Sequence, residues 1–167
     1  MNVSFAQLLV HLDASPQAVQ RLQAARRIGQ AQGAAVTALY AVTPSFVELP
    51  FAPEIGPGIA ANLRDIDDAL KARARTAFEQ SLATPGVPVA WAEVRDDPVM
   101  AAFAQQALYA DLLVLGQHDP SSTSSSGVPI DFAETVMLVS GKPALILPYT
   151  GALPEVIGDT VVIAWKP

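Results

Sequence analysis

The stretch from Gly116 to Gly127, GQHDPSSTSSSG, directly follows the apolar run DLLVLG. A glycine at the end of a buried strand, followed by a loop of small residues and a helix, often binds phosphate, because backbone N–H groups there can reach the anion. This loop is rich in serine instead of glycine. The sequence therefore leaves three interpretations: a nucleotide loop, a nucleotide loop that has lost its function, or a flexible connection.

A second candidate is Asp13, which follows the first apolar run. Its carboxylate could accept hydrogen bonds from ribose hydroxyls or an adenine amine. It could equally belong to a helix start, since Ser15 is a good N-cap, Pro16 suits the first helical position and the helix dipole favours an acid nearby. The residues alone leave both interpretations open.

Other residues give no catalytic or metal site. His11 lies inside a predicted strand, where a packed core or interface position is expected, and His118 lies in the serine loop. The chain lacks cysteine and shows no metal-ligand spacing. The acidic pair Asp96-Asp97 precedes Pro98 and is interpreted as a helix cap. We therefore expect no enzyme activity and no metal.

The composition excludes several classes of partner. The net charge is -6, the pI is about 4.7 and no lysine or arginine stripe is present, so binding to nucleic acid or to an anionic membrane is not expected. No run approaches the ~18 apolar residues of a membrane span, and the first residues do not resemble a signal peptide. These features predict a cytoplasmic protein.

Apolar runs and turn residues predict alternating strands and helices. A helix should begin at Pro16 and bury Val19, Leu22, Ala25 and Ile28, with Gln20, Arg21, Arg26 and Arg27 mostly on other faces. Prolines between 44 and 57 predict an irregular excursion that could cover a site, before a second long helix. Helices are also expected after Pro98 and over 131–139, and strands over 5–12, 35–42, 87–94, 111–115 and 144–147. This alternation predicts a doubly wound parallel sheet.

The end of the chain carries a sixth apolar run, Thr160 to Trp165, behind a linker-like segment. Its Val161-Val162-Ile163 aligns with Leu8-Leu9-Val10 of the first strand. The run is either the start of a second repeat or a terminal edge strand.

Three segments together resemble the universal stress protein family: LLVHLDAS, DLLVLG and AETVMLVSGKPALILP, within residues 5–149. The resemblance implies an adenine nucleotide alpha hydrolase-like α/β domain with a five-stranded parallel sheet of order 3-2-1-4-5 and helices on both faces. It also implies a homodimer linked to stress survival, some relatives of which hold ATP. Ile163-Ala164-Trp165 is similar to the opening strand of a second repeat in tandem members. We therefore assign residues 1–150 to one domain and 151–167 to a linker and the first strand of a truncated second repeat.

A ligand of such a sheet lies outside the carboxyl ends of the strands, between the first and fourth. The residues expected there are Leu12, Asp13, Ala14, Val42, Gly116, Gln117 and His118. ATP-holding relatives resemble the pattern G-x2-G-x9-G-[ST], whereas here Asp119 and Pro129 stand where glycines are needed and Ile130 follows. Proline lacks an N–H, and a carboxylate repels phosphate. The sequence predicts weak or absent ATP binding and no cofactor.

The sequence hypothesis is a non-catalytic stress-response or regulatory domain that acts through dimerisation. The apolar strand Ala144 to Leu147 is expected to pair with a second copy or with a second repeat. The alternative is an ATP- or AMP-binding switch, or a slow ATPase, that uses the cleft between strands one and four. The serines of the loop could be modified, although a serine run is more often a linker.

Overall fold

The computed structural model describes residues 4–45, 47, 56–94, 98–121, 127–158 and 162–163. Within these residues the strands are β1 (Gln7–Leu12), β2 (Ala35–Tyr40), β3 (Val89–Glu93), β4 (Leu112–Gly116) and β5 (Ala144–Leu147). The helices are α1 (Ala18–Gln32), α2 (Pro57–Leu82), α3 (Val99–Ala107) and α4 (Phe132–Ser140). None of the described helices is long and apolar enough to cross a membrane.

The strands form one parallel sheet in the order β3-β2-β1-β4-β5. In its register, Leu9 of β1 lies opposite Thr37 of β2 on one side and Leu113 of β4 on the other. The predicted fold class and strand order are therefore confirmed, and predicted strand ends differ from the observed ends by at most two residues. β5 has the predicted bounds.

Helices cover both faces of the sheet because alternate strand residues point to opposite sides. On one face Leu8 and Val10 pack against α1 and α2, and on the other Leu9 and Leu113 pack against α3 and α4. The central strands are buried on both faces, as expected for parallel strands enclosed by helices. This packing holds the carboxyl ends of β1 and β4 side by side.

The start of α1 differs from the prediction. The helix begins at Ala18 and not at Pro16, and no side chain caps its first turn. Ser15 does not act as the predicted side-chain cap, because both its N–H and its hydroxyl donate to Asp13 Oδ1, at 2.9 and 2.6 Å. At the start of α1, Ser15 contributes its carbonyl, which accepts a hydrogen bond from the Ala18 N–H.

The polar residues of α1 also differ from the prediction. Arg21 is only 3% exposed and Arg26 only 7%, although both were expected mostly away from the apolar face. Arg27 is exposed as predicted. The two buried guanidiniums contact opposite ends of the sheet.

The segment after β5 packs against α1. Its Leu153 and Ile157 contact the core beside α1 and α2, and we call residues 149–158 the C-terminal strap. Three side chains of α1 or its N-cap donate to carbonyls of the strap: Gln17 Nε2 to Tyr149 (3.1 Å), Gln20 Nε2 to Gly151 (3.3 Å) and Arg27 Nη1 to Pro154 (2.8 Å). The predicted linker is thus docked along a helix.

The predicted strand over Thr160 to Trp165 lies mostly outside the described residues. Val162 and Ile163 are described, and both are highly exposed and belong to no strand. The acidic pair at 96 and 97 and the serine run at 122–126 also lie outside the described residues.

Candidate functional site

A cavity of about 570 Å³ opens at the carboxyl ends of β1 and β4. Of the predicted site residues, Asp13, Ala14, Gly116, Gln117 and His118 line it. The two others do not line it: Leu12 is buried in the core and Val42 is half-buried against it. The excursion after β2, expected as a cover, is tied at its start to α2, where Asp67 accepts from the N–H (3.0 Å) and hydroxyl (2.7 Å) of Ser45.

The carboxylate of Asp13 has its hydrogen-bond partners within the chain. Its Oδ1 accepts from the N–H and hydroxyl of Ser15 and from the Nη2 of Arg21, in a pair that is almost completely buried. Burial by itself would raise the pKa of Asp13, but the Arg21 guanidinium, the nearby His11 and the Ser15 hydrogen bonds outweigh it and lower the pKa to about 2. Asp13 is therefore an ionised group with an internal counter-charge.

Arg21 spans the ends of the two central strands. Its Nε donates to the carbonyl of His11 at 3.0 Å, and its Nη2 donates to Ser15 Oγ at 3.2 Å as well as to Asp13. Its Nη1 lies against Gly116, where a Cβ atom would come within 2.4 Å of it. A side chain at position 116 would therefore require the Arg21 guanidinium to shift.

The imidazole of His11 belongs to the opposite face of β1. Its Nε2 lies 2.8 Å from the carbonyl of Ala41 and so donates to it, and the ring packs against Phe103 and Phe132 at centroid distances of 5.6 and 4.2 Å. Burial lowers the pKa of His11 to about 4, so the ring is neutral near pH 7. The expected core position of His11 is confirmed.

The described part of the loop after β4 contains acidic residues and a proline. Asp119 Oδ1 accepts from the N–H and hydroxyl of Ser121, at 2.9 and 2.6 Å. Pro129 has no N–H, Ile130 exposes most of its side chain, and Asp131 stands at the N-cap of α4, where it accepts from Thr135 Oγ1. The described parts of this loop therefore hold two carboxylates and a residue that lacks an N–H.

Gly127 packs against the two residues Val42 and Thr43, just after β2. Its carbonyl accepts from the Thr43 N–H at 2.7 Å, and a Cβ atom would come within 2.4 Å of Val42 Cγ1. Its φ of 62° also lies in the left-handed region that favours glycine. Gly127 and Val42 thus contact each other, and neither lines the cavity.

Sequence reasoning missed several residues of the site. Arg21 could have been found, because it stands three residues after Ala18 and four before Ala25, on the apolar stripe of α1. Gly127 gave no such signal, since its contact partners lie more than eighty residues earlier. The α2 residues that line the cavity also gave no signal in the sequence: Leu70, Arg73, Thr76, Ala77 and Gln80.

Comparisons with known proteins agree with this architecture. A structure titled as a universal stress protein in complex with cAMP is 20% identical, covers 89% of this chain and 100% of its own, and has a TM-score of 0.58. The universal stress protein UspA from Lactobacillus plantarum is 24% identical over 87% of this chain and 99% of its own, with a TM-score of 0.63. A protein of the universal stress protein family from Burkholderia pseudomallei is 23% identical, covers 86% of this chain and 96% of its own, and has a TM-score of 0.54.

These similarities show the shared fold. A search of curated proteins found no match. The sequence model of the universal stress protein family matches residues 4–148, which include all five strands and all four described helices. The chain belongs to the universal stress protein family.

Proposed function

We propose that this chain is a non-catalytic regulatory domain that acts through self-association and binds ATP weakly or not at all. The proposal of weak or absent ATP binding rests on the residue types in the loop after β4. Asp119 and Asp131 place carboxylates, and Pro129 removes an N–H, where a triphosphate would need donors. At a few ångströms, each carboxylate opposes a phosphate by about 1 to 4 kcal/mol, which would cancel much of a micromolar affinity.

Calorimetric titration with Mg-ATP tests this part of the proposal. We expect no saturable heat at micromolar nucleotide, and no nucleotide carried through purification. A clean micromolar isotherm would contradict the proposal. The variant Asp119→Gly/Pro129→Gly, which restores two of the expected glycines, is expected to bind ATP more tightly than the wild type if the loop chemistry is limiting.

Self-association is proposed through β5. This strand pairs with β4 along one edge, and no described residue pairs with its other edge. Ile146 on this strand is 38% exposed, and Leu138 and Val139 at the end of α4 are more exposed still. An exposed apolar edge strand favours pairing with another strand. A second copy of the chain or a second repeat would fit this edge.

Light scattering after size exclusion tests the pairing. The wild type is expected to be a dimer at tens of micromolar, and Ile146→Asp is expected to be a monomer because a charge would lie in the apolar contact. Ile59→Asp is the matched control, since Ile59 is exposed on α2, away from β5. A wild type that stays monomeric, or an Ile59 variant that dissociates equally, would contradict pairing through β5.

The second candidate function is an adenine-nucleotide switch or a slow ATPase. The open cavity beside Asp13, Gly116 and His118 favours it, together with the solved relative whose title names cAMP. Titrations with AMP and cAMP distinguish the candidates. Binding of either ligand without turnover indicates a switch, whereas phosphate release from Mg-ATP indicates an ATPase.

A further inference from the structure

The cavity at the carboxyl ends of β1 and β4 receives charges of opposite sign from different elements. Asp13 and Asp119 line it at the ends of the two strands, whereas Arg73 lines it from α2. Its volume of about 570 Å³ lies in the range of sites for small molecules. The cavity therefore fits a small ligand that carries hydrogen-bond donors at one end and an anionic group at the other.

No acid on α2 balances the charge of Arg73. Side chains three or four positions apart on a helix are neighbours. Those positions around Arg73 hold no acid: Ala69, Leu70, Thr76 and Ala77. By contrast, Arg64 has Asp68 at such a position, and Arg75 pairs with Glu79 at 3.1 Å. Among the described residues Arg73 forms neither an ion pair nor a hydrogen bond, so its guanidinium is available to an anion in the cavity.

We propose that Arg73 binds the phosphate of a nucleoside monophosphate in this cavity. The inference deepens the second candidate function and rests on it, because it names the residue that would hold the charged group of the ligand. The phosphate then lies against α2 and not against the loop after β4, where the Asp119 carboxylate would repel it. The fork of donors on one guanidinium matches one phosphate, and not the three of ATP.

The other end of such a ligand has an acceptor in Asp13. Its Oδ1 accepts from Ser15 and Arg21, whereas its Oδ2 accepts from no described residue. No fully buried side-chain oxygen or nitrogen of the described residues lacks a partner, so Oδ2 opens onto the cavity that Asp13 lines. Since the pKa of Asp13 is lowered to about 2, the carboxylate is ionised near pH 7 and can accept a hydrogen bond from a ribose hydroxyl.

The experiment is a calorimetric titration of the wild type and three variants with AMP and with adenosine, which lacks the phosphate. Arg73→Gln removes the charge, and Arg73→Lys keeps the charge without the fork of donors. Arg64→Gln is the matched control, because Arg64 is an exposed arginine of α2 that is not among the residues lining the cavity. Both arginines are exposed, so the variants should fold, and circular dichroism checks this.

We expect Arg73→Gln to weaken AMP binding about tenfold, since charge-assisted hydrogen bonds to the phosphate are lost, and to leave adenosine binding unchanged. Arg73→Lys should lose less, and Arg64→Gln should match the wild type with both ligands. The inference is overturned if Arg73→Gln binds AMP as tightly as the wild type, if it loses adenosine equally, or if Arg64→Gln loses as much. A wild type that binds no AMP would overturn the second candidate function as well, so the two failures are distinguishable.

Discussion

Arg21 and Arg26 are two buried arginines on one helix, and their surroundings differ. Arg21 lies at the carboxyl ends of the strands and pairs with the carboxylate of Asp13. Arg26 lies at the other end of the sheet, and all its hydrogen bonds go to neutral oxygens: the carbonyls of Ser81, Thr84 (2.7 Å) and Val87 (3.1 Å), and Thr84 Oγ1 (3.1 Å).

The difference shows two ways to bury a guanidinium. The carbonyls that bind Arg26 belong to the last turn of α2 and the loop to β3, where a cation is favoured by the carbonyl dipoles and satisfies acceptors without a helical partner. Arg21 instead neutralises an acid at the site. Arg26 therefore joins the end of α2 to the loop before β3, whereas Arg21 neutralises a carboxylate that lines the cavity.

The largest effect is expected for Arg26→Ala. One buried and three partly buried oxygens lose their donor, so the free energy of unfolding should fall by about 4 kcal/mol. Arg26→Lys should recover less than half of this loss, because one ammonium cannot reproduce the fork of donors. Urea unfolding measures both. If Arg26→Lys recovered the full free energy of unfolding, the several N–H donors of the guanidinium would not be what stabilises this site.

A smaller loss, about 3 kcal/mol, is expected for Arg21→Ala, because Asp13 is left buried and charged but keeps its Ser15 bonds. Asp13→Ala in the same chain should restore about 2 kcal/mol, since the unpaired charge is gone. The double-mutant cycle by urea unfolding measures this coupling. Additive losses would show that the two side chains do not interact energetically.

The third prediction concerns the pH dependence of stability, which we assign to His11. Burial lowers the pKa of His11 to about 4, below its ordinary value of 6.5, so the unfolded chain binds a proton that the folded chain does not. The contribution of His11 to stability is complete above pH 6.5 and decreases as the pH falls toward 4, by about 2 kcal/mol at pH 5. Asp13 contributes no slope there, because its lowered pKa places its loss of stability below about pH 4.

Urea unfolding at pH 7 and pH 5 measures this slope. His11→Gln should have a lower free energy of unfolding than the wild type at pH 7. It should also lose the part of the change between pH 7 and pH 5 that comes from His11. The effect of Arg26→Ala should be equal at both pH values, since the contacts of Arg26 are neutral. A wild-type slope that His11→Gln leaves unchanged would exclude His11 as its source.

The smallest effect is expected for Arg27→Ala, at most about 0.5 kcal/mol, because its hydrogen bond to Pro154 is exposed. Leu153→Ala, which removes an apolar contact of the C-terminal strap with the core, should cost more, about 1 kcal/mol. Thermal unfolding of both variants measures the order. A larger effect of Arg27 than of Leu153 would contradict the view that apolar packing holds the strap.

Much of the fold was predictable because its signals are local. Each strand is a short apolar run, Gly33 and Gly141 end helices in left-handed conformations, and β5 has the bounds that its sequence predicts. The start of α1 was not predictable, since the side chain that could cap the helix instead bonds to Asp13. The Ser15 hydroxyl could bond either to the first turn of α1 or to Asp13, and the geometry of the loop decides between these partners.

The candidate site was predictable only in part. Asp13 follows β1 and Gly116 ends β4, so both lie at the same edge of a parallel sheet and both line the cavity. Arg26 could not be assigned a role because its partners lie 55 to 61 residues farther along the chain. Gly127 could not be placed beside Thr43 for the same reason.

The sequence by itself determined the alternation of strands and helices, because periodicity and turn residues act over a few neighbours. Its resemblance to the universal stress protein family then implied the order of the strands. The tertiary structure alone decided which side chains meet at the carboxyl ends of β1 and β4. Only when α1 packs on the sheet does the side chain of Arg21 reach Asp13 and Gly116 together, because a buried charge takes its position from the partners that the fold brings to it.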